Sequence, residues 1–193
     1  MTTASSPAPA VDGERADLLA ELVLARTTLA ATLSGLSDAQ LGERPTASAL
    51  CLGGLVKHVT STEEAWGRFL LEGPAGMPFD LPEGVTWGDL FAGTASTYPQ
   101  WAIDRQNDFT MLPDDTAASI LARYEQVAAR TEEIVAGLPD LDASHPLPEA
   151  PWNTPGERRS ARRVLIHLVA ETIQHAGHAD IIRESIDGHT AMS

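Results

Sequence analysis

The stretch 160-SARRVLIHLVAETIQHAGHADIIRESIDG-188 decides how the rest of the chain is read. Ser160 offers the side-chain oxygen of an N-cap and Asp187-Gly188 a stop, so Ala161 to about Ile186 reads as one long helix. Within it, His167, Glu171, His175 and His178 form a polar stripe among Val, Leu and Ile. A helical residue advances about 100°, so side chains four apart stand one turn apart on nearly the same face. Glu171 and His175 therefore project together and can share a metal ion. His178 lies near that face, and His167 precedes Glu171 by one turn.

Three more amphipathic segments lie upstream. From Glu14 to about Leu36, the positions Leu18, Leu19, Leu22, Ala25, Leu29, Leu33 and Leu36 recur at three and four. Ser37 to Gln40 has the spacing of a capping box and starts a short turn, which Arg44-Pro45 interrupts. A second segment, from about Ala49 to Leu71, carries Leu52, Leu55, Val56, Val59, Trp66 and Phe69. Gly53-Gly54 weakens its first turn and argues for a later start. A third follows Pro113, where Asp114-Asp115 can cap a helix through Gly137. Residues 73–113, rich in Pro and Gly and holding Trp87, Tyr98 and Trp101, predict a long, partly helical excursion that is a lid candidate. Residues 138–159 are again Pro-rich. With no strand-like alternation of comparable length, the pattern predicts an all-α fold, most simply a four-helix bundle with long connections. The expected organisation is a disordered tail over residues 1–12 and a single domain over 13–193.

Composition narrows the function classes. Thirteen basic residues against 27 acidic ones give a formal net charge of −14. Such a surface repels phosphate backbones and anionic headgroups, so neither nucleic acid nor membrane is expected as a partner. A lone cysteine, Cys51, cannot form an intramolecular disulfide, which fits a reducing cytoplasm. No apolar run is long enough to span a bilayer, and the start lacks the pattern of a signal peptide.

A bundle draws metal ligands from facing helices, and His58, amid Leu55, Val56 and Val59, is the candidate opposite Glu171 and His175. Two imidazoles and a carboxylate suit zinc, with nickel an alternative, and leave a fourth position for water or substrate. Each residue also has a plainer reading: His58 as a hydrogen-bonded core histidine, Glu171 and His175 as a surface ion pair. His178 and Asp180 are candidates to orient His175 or a water, and a fourth bond from His178 would close the site. His167 reads as structural, Cys51 as a small buried residue, and Trp66, Trp87 and Trp101 as core. Arg162, Arg163 and Arg183 either meet a substrate carboxylate or are solvated.

The run from Arg163 to Gly188, with Leu52-Gly-Gly-Leu-Val-Lys-His58, Glu63 and Trp66 upstream, resembles the DinB-like (YfiT-like) metalloenzyme superfamily in its actinobacterial branch, over about residues 14–188. The resemblance implies a four-helix bundle holding a divalent metal through one side chain of the second helix and two, four apart, of the last. Many members present three histidines. Glu171 departs from that pattern and is similar to the His, Glu, His set of mycothiol-dependent maleylpyruvate isomerase, which maps to His58, Glu171 and His175. Relatives use mycothiol or bacillithiol, so the resemblance implies a thiol transferase or thiol-assisted isomerase acting on a small electrophile, with mycothiol as co-substrate. Separately, exposed apolar helix faces make a homodimer a candidate assembly. A non-catalytic metal-binding or stress-response module and a metal-dependent hydrolase are the competing readings.

Overall fold

The computed structural model describes residues 13–191, so the tail expected over residues 1–12 lies outside the described residues. The chain runs through α1 (Gly13–Ala31), α2 (Asp38–Leu41), α3 (Leu52–Glu72), a 3-10 turn (Gly73–Gly76), α4 (Trp87–Ala92) and α5 (Gln100–Asp108). It continues through α6 (Ala117–Gly137), β1 (Ser144–Pro146), β2 (Arg158–Ser160) and α7 (Ala161–Asp187). The fold is all-α and multi-helical. Four long segments were expected, and α1, α3, α6 and α7 answer to them. The described residues add three shorter helices and an antiparallel ribbon pairing His145 with Arg159, too short to leave a period in the sequence. No helix among the described residues is long and apolar enough to cross a membrane.

Helix α1 packs on α7, and α3 packs on both α6 and α7. The apolar faces form two clusters rather than one. Leu29, Leu52, Leu55, Val59, Ala176 and Ala179 belong to the first, and Leu22, Phe69, Val135, Leu165 and Leu168 to the second. Fully burying a leucine or phenylalanine is worth roughly 1.5–3 kcal/mol, so these clusters drive assembly. Between them along the helices lie buried polar residues: Arg26, Thr60, Glu63, Thr131 and Thr172. Arg26 forks onto both oxygens of Glu63, with its Nε at 3.1 Å from Oε2, and also reaches Glu132 at 3.1 Å. Glu63 has no exposed surface, and a charge so buried is tolerated only when paired and hydrogen-bonded. Its own charge, with burial as the larger cause, pushes the Tyr124 hydroxyl well above the ordinary tyrosine pKa.

Two expected boundaries move, each because of a contact made across the fold. The first helix ends at Ala31 rather than near Leu36, because Arg183 Nη1 takes the Thr32 and Ser34 carbonyls at 2.9 and 2.7 Å. Gly35 then turns the chain with φ of 75°. Helix α6 is capped by Thr116 and Ser119, not by the Asp114-Asp115 pair. Asp115 instead accepts from Lys57 Nζ at 2.5 Å and the Leu112 amide at 2.7 Å. Burial acts to raise the Asp115 pKa, but these bonds carry it below the ordinary carboxylate value. The α7 caps stand where the sequence put them: Ser160 accepts from the Arg163 amide, and Gly188 has φ of 77°.

Helix α3 starts at Leu52, later than Ala49, with Gly53 and Gly54 in its first turn. They let the chain after α5 cross it closely. A Cβ on Gly54 would stand 2.5 Å from the carbonyl carbon and oxygen of Phe109, and one on Gly53 2.1 Å from Met111 Sδ. Lys57 Nζ fastens the same crossing through the Asn107 and Thr110 carbonyls at 3.2 and 2.8 Å. Gly54→Ala is therefore expected to cost about 1–3 kcal/mol of stability by overpacking against backbone. Urea unfolding measures this, and a variant as stable as the wild type would contradict the close approach.

Candidate metal centre

The α3–α7 contact brings three side chains together. His58 Nε2 and His175 Nε2 each lie 3.3 Å from Oε1 of Glu171, and one donor atom from each residue falls within 4.8 Å of the others. Helical spacing places Glu171 and His175 side by side on α7, while His58 comes from about a third of the way along α3. The His58 ring is fixed on two sides: Phe109 stacks on it at 4.1 Å between centroids with planes 25° apart, and His175 meets it edge-on at 5.1 Å. His58 is 2% exposed, and its Nδ1 is buried without a hydrogen-bond partner. Every polar contact of that ring therefore lies at Nε2, where the carboxylate and the second imidazole converge.

The donor set fits a divalent cation. Two imidazole nitrogens and a carboxylate oxygen are borderline ligands of the kind that zinc and similar late metals take. Among the described residues no fourth His, Cys, Asp or Glu joins the group. His178 is exposed and meets the far nitrogen of His175, Nδ1 to Nδ1 at 3.4 Å, so it stands behind the group rather than within it. Hydrogen bonds to His175 and then His58 hold the Glu171 carboxyl far below the ordinary range, against burial that would raise it.

The remaining sequence candidates separate clearly. Asp180 accepts the Ala191 amide at 2.5 Å and so ties down the chain after α7. Arg162 is engaged by Glu14 and Asp142, Arg163 by Glu157, and Arg183 by Asp187 and two carbonyls. Cys51 is buried and donates to the Phe109 carbonyl at 3.7 Å. Trp66 is core, as expected, but Trp87 and Trp101 belong to neither apolar cluster. They line a cavity of about 700 Å³ that reaches Glu171, with His167 and Arg159 on the same wall. Burial and the charge of Arg159 lower the His167 pKa, against a raising effect from Glu171. Phe109 and Arg159 were not singled out from the sequence. Phe109 caps α5 and Arg159 lies in the short strand β2, positions that no local pattern fixes.

Residues 17–188 match the Mycothiol-S-transferase family. The chain belongs to that family. No curated protein matches it. The family match covers α1 through α7 with only the ends outside, and so includes His58, Glu171, His175 and the cavity-forming connectors. It associates the chain with thiol chemistry and a DinB-like helical fold.

Because the Glu171 pKa is depressed in the folded state, its stabilising contribution in metal-free protein is fully present above the ordinary carboxylate value of about 4.3. That contribution is lost as pH falls through the lower folded-state value. Between about pH 5 and about pH 3 the metal-free wild type should therefore lose more unfolding free energy than Glu171→Gln. Parallel losses in chemical unfolding would contradict the hydrogen-bonded carboxylate.

Proposed function

We propose that this chain is a divalent-metal-dependent mycothiol S-transferase whose ion, most simply zinc, is held by His58, Glu171 and His175. The observation that carries the reading is the convergence of three suitable donors, drawn from two helices, beside a cavity that reaches one of them. A structural site closes its shell with a fourth protein ligand. Here the described residues provide three, which favours chemistry over a purely structural or binding role. The same ligand set accommodates a thiol-assisted isomerase, and the thiol separates both from a hydrolase.

A bound divalent ion supplies Lewis acidity that lowers the pKa of a thiol at an open position. The chain's residues do the rest. Phe109 and the surrounding helix fix the His58 ring, and His178 gives His175 Nδ1 a partner, which orients its Nε2 toward Glu171. Glu171 contributes a negative charge that tempers the ion. His167, kept neutral near pH 7 by burial, retains an acceptor nitrogen in the cavity. The thiol must come from outside, since Cys51 is sealed beneath Phe109. In transfer, the sulfur electron pair forms a bond to an electrophilic carbon, the leaving group departs with its bonding pair, and the thiol proton passes to water.

Metal-loaded protein should conjugate chlorodinitrobenzene with mycothiol and not with glutathione or free cysteine. His175→Ala should lose both stoichiometric metal and turnover. Absence of turnover with every thiol tested, in protein that retains its metal, would refute the transferase reading.

A further inference from the structure

The cavity beside Glu171 contains a charge that the reading above does not use. Arg159 of β2 lines it, with its guanidinium carbon 4.9 Å from the centroid of the Trp66 ring. Its Nε is buried without a hydrogen-bond partner. The arginines around it are all engaged: Arg158 with Ser144, Arg162 with Glu14 and Asp142, and Arg163 with Glu157 at 3.3 Å. No such partner meets the Arg159 side chain among the described residues. Glu157, paired with Arg163, acts on Arg159 without touching it, and Arg105 is a second, exposed cation lining the same cavity, whereas Arg159 is partly buried. Placed over the Trp66 ring, the guanidinium keeps N–H donors free for a planar anion such as a carboxylate.

Among the aromatic residues lining the same cavity, four from separate parts of the chain stand against one another. Phe79 meets Trp101 and Trp152 edge-on at 5.3 and 5.1 Å between centroids, and Trp87 meets the same two at 5.7 and 5.1 Å. Trp152 is 53% exposed, so these rings gather without being covered by the core. Exposed apolar surface grouped in a concavity marks a binding site. The volume of about 700 Å³ admits a substituted ring with room for a second reactant.

We propose that the electrophile this site accepts is an aromatic carboxylate, its ring among Phe79, Trp87, Trp101 and Trp152 and its carboxylate on the free N–H donors of Arg159. The inference rests on the thiol-transfer reading and names its substrate class. For a haloaromatic acid, the thiol sulfur forms the new C–S bond with its electron pair as the C–halogen bond breaks. Halide leaves with the bonding pair, and the thiol proton passes to water.

Titration calorimetry of the metal-loaded protein without thiol, using para-nitrobenzoate and the neutral para-nitrobenzamide, tests the recognition apart from turnover. The carboxylate should bind at least about tenfold tighter, as a charge-assisted contact requires. That advantage should disappear in Arg159→Gln and partly return in Arg159→Lys, whereas Trp101→Ala should weaken both ligands. Equal affinities in the wild type, or a preference that survives Arg159→Gln, would overturn the proposal. Turnover of neutral chlorodinitrobenzene with mycothiol is followed in parallel. If it is present without carboxylate preference, the substrate class alone falls. If neither chlorodinitrobenzene nor 4-chloro-3-nitrobenzoate turns over with mycothiol while the preference holds, the transferase reading falls and aromatic-carboxylate recognition stands.

Discussion

The close packing of α3 on α7 is the constraint on which the candidate centre depends. Small, fully buried residues, Ala176 and Ala179, sit in the same cluster as Leu55 and Val59, and one helix turn sets His175 beside Glu171 opposite His58. The donors meet because the helices meet. A second constraint lies just along the helices, where the buried Arg26–Glu63 pair separates the two apolar clusters. A buried pair of this kind is costly to break, because removing one partner leaves an uncompensated charge. It holds α1 to α3 at the level where polar residues of α7 turn toward the cavity.

The connectors do as much as the long helices to shape the centre. Gly53 and Gly54 admit the chain after α5, Lys57 holds its carbonyls, and Phe109 then lies flat on His58. The same excursion contributes Phe79, Trp87 and Trp101 to the cavity, while the connector before α7 contributes Trp152 and Arg159. A buried imidazole, a carboxylate drawn to its ionised form and an aromatic-lined approach are thus parts of one arrangement.

What the sequence made legible was what local chemistry encodes. Helix α7 could be bounded to within a residue because both caps are written in neighbouring side chains, and Glu171 and His175 follow from a helical step of four. Their partner His58 came from the facing-helix argument only as a candidate, since an imidazole in an apolar helix also reads as core, and the family resemblance strengthened it. The end of α1 was misplaced because the bonds that stop it come from Arg183, about 150 residues away. The cap of α6 was misplaced because Asp115 is drawn to Lys57 across the fold. Arg159 and Phe109 carried no local signal, because their neighbours are set by tertiary path alone.

The central claim is that His58, Glu171 and His175 hold one ion and leave it open to a thiol. Anomalous diffraction from crystals grown with zinc measures this most directly. A single peak per chain between α3 and α7, bonded to those three side chains and to no fourth protein atom, is the expected result. A peak elsewhere, or one at which His178 or another residue completes the shell, would contradict the account.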